Sequence, residues 1–170
     1  MKTRIHIIHT KAMATAITLL MMTSSSAALS KAASPFDGHY TTASLSVQEQ
    51  TAGNLLNNDR AQYNLPPLVI DPALCRIARI KSEDMRDNQY FAHTSPTYGD
   101  VRQMLKQFGY SYSAAGENIA HHATIEKAQA AFLSSSGHRR NIMSSTYTKV
   151  GLGAARDSKG FVYLTQIFAR

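Results

Sequence analysis

Three short segments carry the side chains with chemistry to offer: Phe91-Ala92-His93-Thr94-Ser95-Pro96, Gly116-Glu117-Asn118-Ile119-Ala120, and Ser136-Gly137-His138-Arg139-Arg140-Asn141-Ile142-Met143. Each is rich in polar, turn-forming groups and borders a predicted element, where loops commonly present functional side chains. Two neutral imidazoles (His93, His138) and one carboxylate (Glu117) are common zinc ligands, and three ligands leave one coordination position for water. The same residues admit a purely structural reading, in which His93 ends a helix, Glu117 pairs with Arg139 and His138 completes a turn. Ser135, three positions before His138, offers a nucleophile–base pair with Glu117 as orienter. No Gly-x-Ser-x-Gly elbow and no His-Glu-x-x-His helix occurs in the chain, which favours binding over hydrolysis. His121 and His122 either extend the cluster or lie solvated in a loop.

The elements that must position these groups can be read from spacing. A helix is predicted over about 46–63, stopped by Leu65-Pro66-Pro67. A second is capped by Asp71 with Pro72 in its first turn, and repeats Leu74, Ile77, Ala78 and Met85. A third places Val101, Met104, Leu105 and Phe108 on one face and ends at Gly109; a fourth begins near Thr124 with Ile125, Ala128 and Phe132. The period then falls to two. Val150, Leu152 and Ala154 alternate with Gly151, Gly153 and Ala155; a turn follows at Asp157-Ser158-Lys159-Gly160, and Phe161–Phe168 is apolar on both faces, as a central strand would be. Helices followed by a hairpin predict an α+β domain with an antiparallel sheet.

Composition narrows the class. The 170 residues are 44% apolar and 17% charged, with no Trp and one Cys, so neither a disulfide scaffold nor a cysteine-based zinc module is available. The formal charge of +7 is concentrated at the start: Lys2, Arg4, Lys11 and Lys31 lie in the first 32 positions, which hold no acid. Beyond them the balance is that of an ordinary surface, and nucleic acid is not an expected partner. The basic start, the uncharged run Ala12–Met22 and the small residues Thr23–Ala28 have the three regions of an export signal over 1–32, cleaved after Ala28 or Ala32. That run is too short for a bilayer span, which needs about 20 residues. An uncleaved short anchor is the alternative; the main expectation is a secreted protein with no stable membrane span after cleavage. Residues 33–45 read as a flexible leader and 46–170 as one domain. Cys75, one position off the apolar stripe of the second helix, reads as a partly buried thiol or an intermolecular disulfide site.

The succession Asn58-Asp59-Arg60, Leu65-Pro66-Pro67-Leu68, Asp71-x-x-Leu74, Asp84-Met85, His93-Thr94-Ser95-Pro96, Gly116-Glu117-Asn118-Ile119-Ala120, Ser135-x-Gly137-His138-Arg139-x-Asn141-Ile142, Val150-Gly151-x-Gly153 and Thr165-Gln166-x-Phe168 resembles the bacterial branch of the CAP superfamily, the SCP domains. The resemblance covers roughly 53–169. It implies a three-layer α-β-α sandwich with a central antiparallel sheet, and a large cleft lined by two histidines and two acids that in several members holds zinc or another divalent ion. His93 matches the first histidine, Glu117 the acid of the Gly-Glu-Asn motif and His138 the second histidine. The second acid is replaced by Ser135, three residues after Phe132, which removes a negative ligand. Asn141 and Gln166 are read as completing the cleft's hydrogen bonds or as structural groups. The function implied is a secreted binding or interaction module at the cell envelope or outside the cell, with a small-molecule, lipid, peptide or cell-wall ligand. The alternatives are a hydrolase of peptides or wall polymers, metal-assisted or serine-dependent, with Glu117, Ser135 and His138 as its catalytic groups, and a structural component of an envelope or spore layer.

Overall fold

The computed structural model describes residues 45–170; the export signal over 1–32, and all of the 33–45 leader except Leu45, lie outside them. The elements in chain order are α1 (Val47–Gln62), β1 (Val69–Ile70), α2 (Pro72–Asp87), α3 (Val101–Gln107), β2 (Ala115–His122), α4 (Ile125–Ser134), α5 (Ser136–Ile142), β3 (Lys149–Arg156) and β4 (Val162–Ala169).

Local chemistry sets most boundaries. Ser46 and Glu49 form a reciprocal capping box at the start of α1, and Asp100 and Gln103 repeat it at α3. Asp71 accepts from the amides of Ala73 and Leu74 at the start of α2, and Thr124 accepts from Lys127 N at α4. These helices and the β3–β4 hairpin stand where the spacing placed them. Two segments read as turns do not. Ala115–His122 is a strand, because its backbone pairs along its whole length with β4. Ser136–Ile142 is a helix, entered directly from α4 through Ser135, which is at once the C-cap of one helix and the N-cap of the next.

The strand order is β1-β3-β4-β2, with β2 at one edge. The three long strands are antiparallel, while two-residue β1 runs parallel to β3, so the sheet is mixed rather than wholly antiparallel. Strand β4 is buried throughout, as its two apolar faces required. On one face Ala52 and Leu56 of α1, Ala128 and Phe132 of α4 and Ile142 of α5 pack on Leu152, Leu164 and Phe168. On the other, Leu74, Ile77 and Ala78 of α2 and Met104 and Leu105 of α3 pack with Ile167 and Ala169. Each large apolar side chain among these, fully buried, contributes roughly 1.5–3 kcal/mol. The outcome is the helix–sheet–helix sandwich that the resemblance implied.

Gly151 and Gly153 explain how closely α2 lies on β3. A Cβ at Gly151 would stand 2.2 Å from the Leu74 carbonyl carbon, and one at Gly153 2.0 Å from that of Ala78. Helix backbone rests directly on strand backbone. Behind it, buried Glu49 holds Arg79 in a two-pronged ion pair at 2.7 and 2.6 Å, tying α1 to α2. Cys75 is not a surface thiol: it is 2% exposed, its sulfur accepts from Leu152 N at 3.3 Å, and burial pushes its pKa up to about 11. A disulfide between chains would require this face of α2 to open.

Candidate functional site

Because β2 ends the sheet, the two helical layers can meet around its outer edge. His93 comes from the loop after α2, on one side. His138 comes from α5, on the other, and Glu117 comes from β2 itself. His93 Nδ1 lies 2.8 Å from Glu117 Oε1, the two imidazole centroids are 6.3 Å apart, and His138 stands edge-on to Phe132 at 5.1 Å. The three residues are thus gathered in one place. Glu117 pairs with His93 rather than with Arg139, whose guanidinium instead binds Tyr63 Oη at 2.8 Å and lies over that ring.

The polarity of the site follows from burial. The Glu117 side chain is 4% exposed while that of His93 is 57% exposed, so the carboxylate is a floor and the imidazole a lip. Oxygen Oε2 of Glu117 is buried and bonded to no group among the described residues, an arrangement that asks for a donor or cation from outside the chain. Burial, with the nearby His93 adding to it, holds the pKa of His138 below the ordinary imidazole value, favouring the neutral ring.

Two buried networks, neither anticipated from the sequence, hold the histidines from behind. The first belongs to the His93 loop. Lys81 is fully buried and donates to His93 O at 2.9 Å and to Tyr90 Oη at 3.3 Å. Burial lowers its pKa, while the charges of Glu117 and Asp84 pull it upward. Lys81 is therefore a buried countercharge beneath Glu117. Asp84 accepts from Asn88, Tyr90, Ser95 and Thr97. Although burial opposes it, these hydrogen bonds hold its carboxyl below the usual range.

The second network is a chain of amides. Asp59 Oδ2 accepts from Gln129 Nε2 at 2.6 Å, Gln129 Oε1 from Gln166 Nε2 at 2.8 Å, Gln166 Oε1 from Asn118 Nδ2 at 3.0 Å, and Asn118 Oδ1 from Asn141 Nδ2 at 2.9 Å. A carboxylate can only accept here, so Asp59 sets the direction of every amide after it. The chain ends on the site's own backbone, Asn118 donating to His138 O and Asn141 to Glu117 O. Gln166, read either as completing the cleft's hydrogen bonds or as a structural group, is fully buried and hydrogen-bonded within the chain of amides. Asn141 braces the edge of β2.

Ser135 sits between α4 and α5, and its hydroxyl makes no cap hydrogen bond. Its position brings no carboxylate to the site. No three His, Cys, Asp or Glu side chains among the described residues are close enough to hold a metal ion as they stand. Two imidazoles and a carboxylate with an unbonded oxygen are nonetheless donor types that a divalent ion takes. Among the described residues, concave pockets of about 580, 700 and 470 Å³ are lined by other residues. His121, read as a loop residue, closes β2; it lies 2.9 Å from Asp157 and stacks on Tyr163.

This fold is matched by known proteins. The family model of the cysteine-rich secretory protein family, CAP, matches residues 54–168. The chain belongs to the CAP family. Among its relatives, "Uncharacterized protein YkwD" of Bacillus subtilis (strain 168) is 46% identical over 111 residues, 65% of this chain and 43% of that protein. The crystal structure of an extracellular SCP-domain protein from Bacillus anthracis superposes with a TM-score of 0.68 at 35% identity, covering 72% of this chain and 40% of that one. An outer surface protein from Borrelia burgdorferi shares the CAP fold at 18% identity, with a TM-score of 0.68 over 78% of this chain and 98% of that one. The chain spans less than half the length of the first two.

Proposed function

We propose that this CAP protein is an exported ligand-binding or interaction module whose recognition site is the His93–Glu117–His138 cluster. A divalent ion such as zinc would be held by His93, His138 and Oε2 of Glu117, whose Oε1 orients His93. The observation that carries this reading is the buried, unsatisfied Glu117 Oε2 beneath two convergent imidazoles, one of them biased toward the neutral form a metal requires. When bound, the ion would supply an open coordination position for a polar group of the ligand. The chain's own part is to keep His93 and His138 at fixed separation, through Lys81 on one side and the amide chain on the other. Export is supported by the basic, apolar and small-residue regions of 1–32 and by relatives described as extracellular and outer-surface proteins. No helix among the described residues is long and apolar enough to cross a membrane.

Hydrolysis is the second reading, favoured by the same oxygen: Glu117 Oε2 could take a proton from an attacking water. Thermal unfolding of the full chain with and without zinc tests the metal: the midpoint rises in the parent and not in His138→Ala, and an unmoved parent removes the metal. Turnover of casein, peptidoglycan or esters, lost in His93→Ala and His138→Ala, would replace binding with catalysis.

A further inference from the structure

The opposite end of β2 carries a second constellation, on which nothing proposed above depends. His121 and Tyr163 are cross-strand neighbours on β2 and β4, on the face covered by α2. Helix α2 ends at Asp87, so beyond it this stretch of sheet lies open to a pocket of about 700 Å³, within the roughly 300–1,000 Å³ of small-molecule sites. Glu117 and His121 share a face of β2 and lie four residues apart, about 13 Å at strand rise, so the two sites are distinct.

The pocket is aromatic at its base and polar at its rim. His121 stacks on Tyr163 with centroids 4.0 Å apart and planes 12° from parallel. Phe161 stands 5.6 Å from His121 at 53°, and Phe91, beside the pocket, 6.4 Å from it at 43°. Phe161 and Phe91 are 42% and 52% exposed, large for aromatic side chains. Asp157 Oδ2 takes one nitrogen of His121 at 2.9 Å, while its Oδ1 accepts from the amides of Lys159 and Phe161. The hairpin turn and the imidazole are therefore held by one carboxylate.

Three features select the ligand. The near-parallel pair of rings is already closed on itself and its neighbours are tilted, which leaves no slot between them for a flat aromatic to intercalate. Two lining cations, Arg86 and Lys159, stand beside two lining carboxylates, Asp87 and Asp157, with Arg86 paired to Asp87 at 2.6 Å, so the formal charges balance and a polyanion has little to bind. Exposed ring faces beside carboxylate, amide and guanidinium groups suit a puckered ring that offers C–H bonds on one side and hydroxyls around its rim. We propose that this pocket binds a neutral saccharide chain, its sugar ring lying on Phe161 and His121 and its hydroxyls meeting Asp157 and Gln89.

The test is titration of the ¹⁵N-labelled full chain with chitotetraose, with tetra-alanine as comparison. Chitotetraose should shift the amides around His121, Phe161 and Tyr163 and leave those around His138 in place. Phe161→Ala, at an exposed position, should fold normally and weaken binding roughly five- to tenfold, the size of one aromatic contact. Absence of shifts, shifts centred on His93 and His138, equal binding by Phe161→Ala, or equal binding of tetra-alanine would each overturn the proposal. Zinc binding at the imidazole pair is a separate measurement and moves independently of this one.

Discussion

Asp84→Asn isolates what holds the His93 loop. In the parent, Oδ1 accepts from Asn88 Nδ2 at 2.8 Å and Thr97 Oγ1 at 3.0 Å, and Oδ2 from Ser95 Oγ at 2.7 Å and from Tyr90 Oη. Asparagine keeps one oxygen, so either orientation aims an NH₂ group at two donors. The orientation that keeps the oxygen toward Ser95 and Tyr90 is preferred, because Ser95 Oγ already accepts from Thr97 N and Tyr98 N, while on the other side the Thr97 hydroxyl can turn to accept and the Asn88 amide can flip. Loss of the charge from these bonds, on the scale of one hydrogen bond to a charged acceptor, puts the cost at about 1.5–3 kcal/mol. Urea unfolding measures the global part, and amide exchange at Thr97 and Tyr98 measures loosening of the loop itself. The pH dependence carries a sign. The folded carboxyl is depressed, so its stabilisation is complete above the unfolded value near about 3.9 and disappears as pH falls through the folded one. The parent should lose stability below about pH 4 more steeply than Asp84→Asn. A variant within about 0.5 kcal/mol of the parent, with both amides equally protected, would refute the proposed role of the network.

Gly153→Ala should lower stability by about 3 kcal/mol, since the added methyl meets helix backbone that cannot rotate away; Gly137→Ala, with nothing within 4 Å, should be neutral or stabilising by up to about 1 kcal/mol. Urea midpoints of the two variants decide, and equal behaviour would show that α2 does not rest on the glycines. Cys75 should resist a thiol reagent at pH 8 in the native protein and react fully in denaturant, given its burial and raised pKa; native-state labelling at a free thiol's rate would contradict the packing described.

Legibility in the sequence followed the range of the signal. Asp71 and Thr124 act on amides two or three residues away, so those two helix starts could be read directly. The β3–β4 hairpin declared itself by alternation and a four-residue turn. Strand β2 did not, because Glu117, Asn118, His121 and His122 mask its alternation, and its identity rests on pairing with β4 across a long stretch of intervening chain. Helix α5 is seven residues long, with a glycine and two arginines, and has no apolar period of its own. Lys81 did carry a signal: it stands on the apolar stripe of the second helix, three and four residues from Ala78 and Ile77, so a helix wheel marks it as an inward charge, and the loop folded over it supplies what that charge holds.

By itself the amino-acid sequence determined the family, the capped helices, the central hairpin and the identities of His93, Glu117 and His138, because motifs and near-neighbour hydrogen bonds are written along the chain. Tertiary structure alone decided that these three meet at the outer edge of β2, that Gln166 faces inward, and that His121 joins an aromatic pocket at the far end of the same strand. Those outcomes depend on strand order, and strand order is settled by non-local pairing and by which faces the helices must bury.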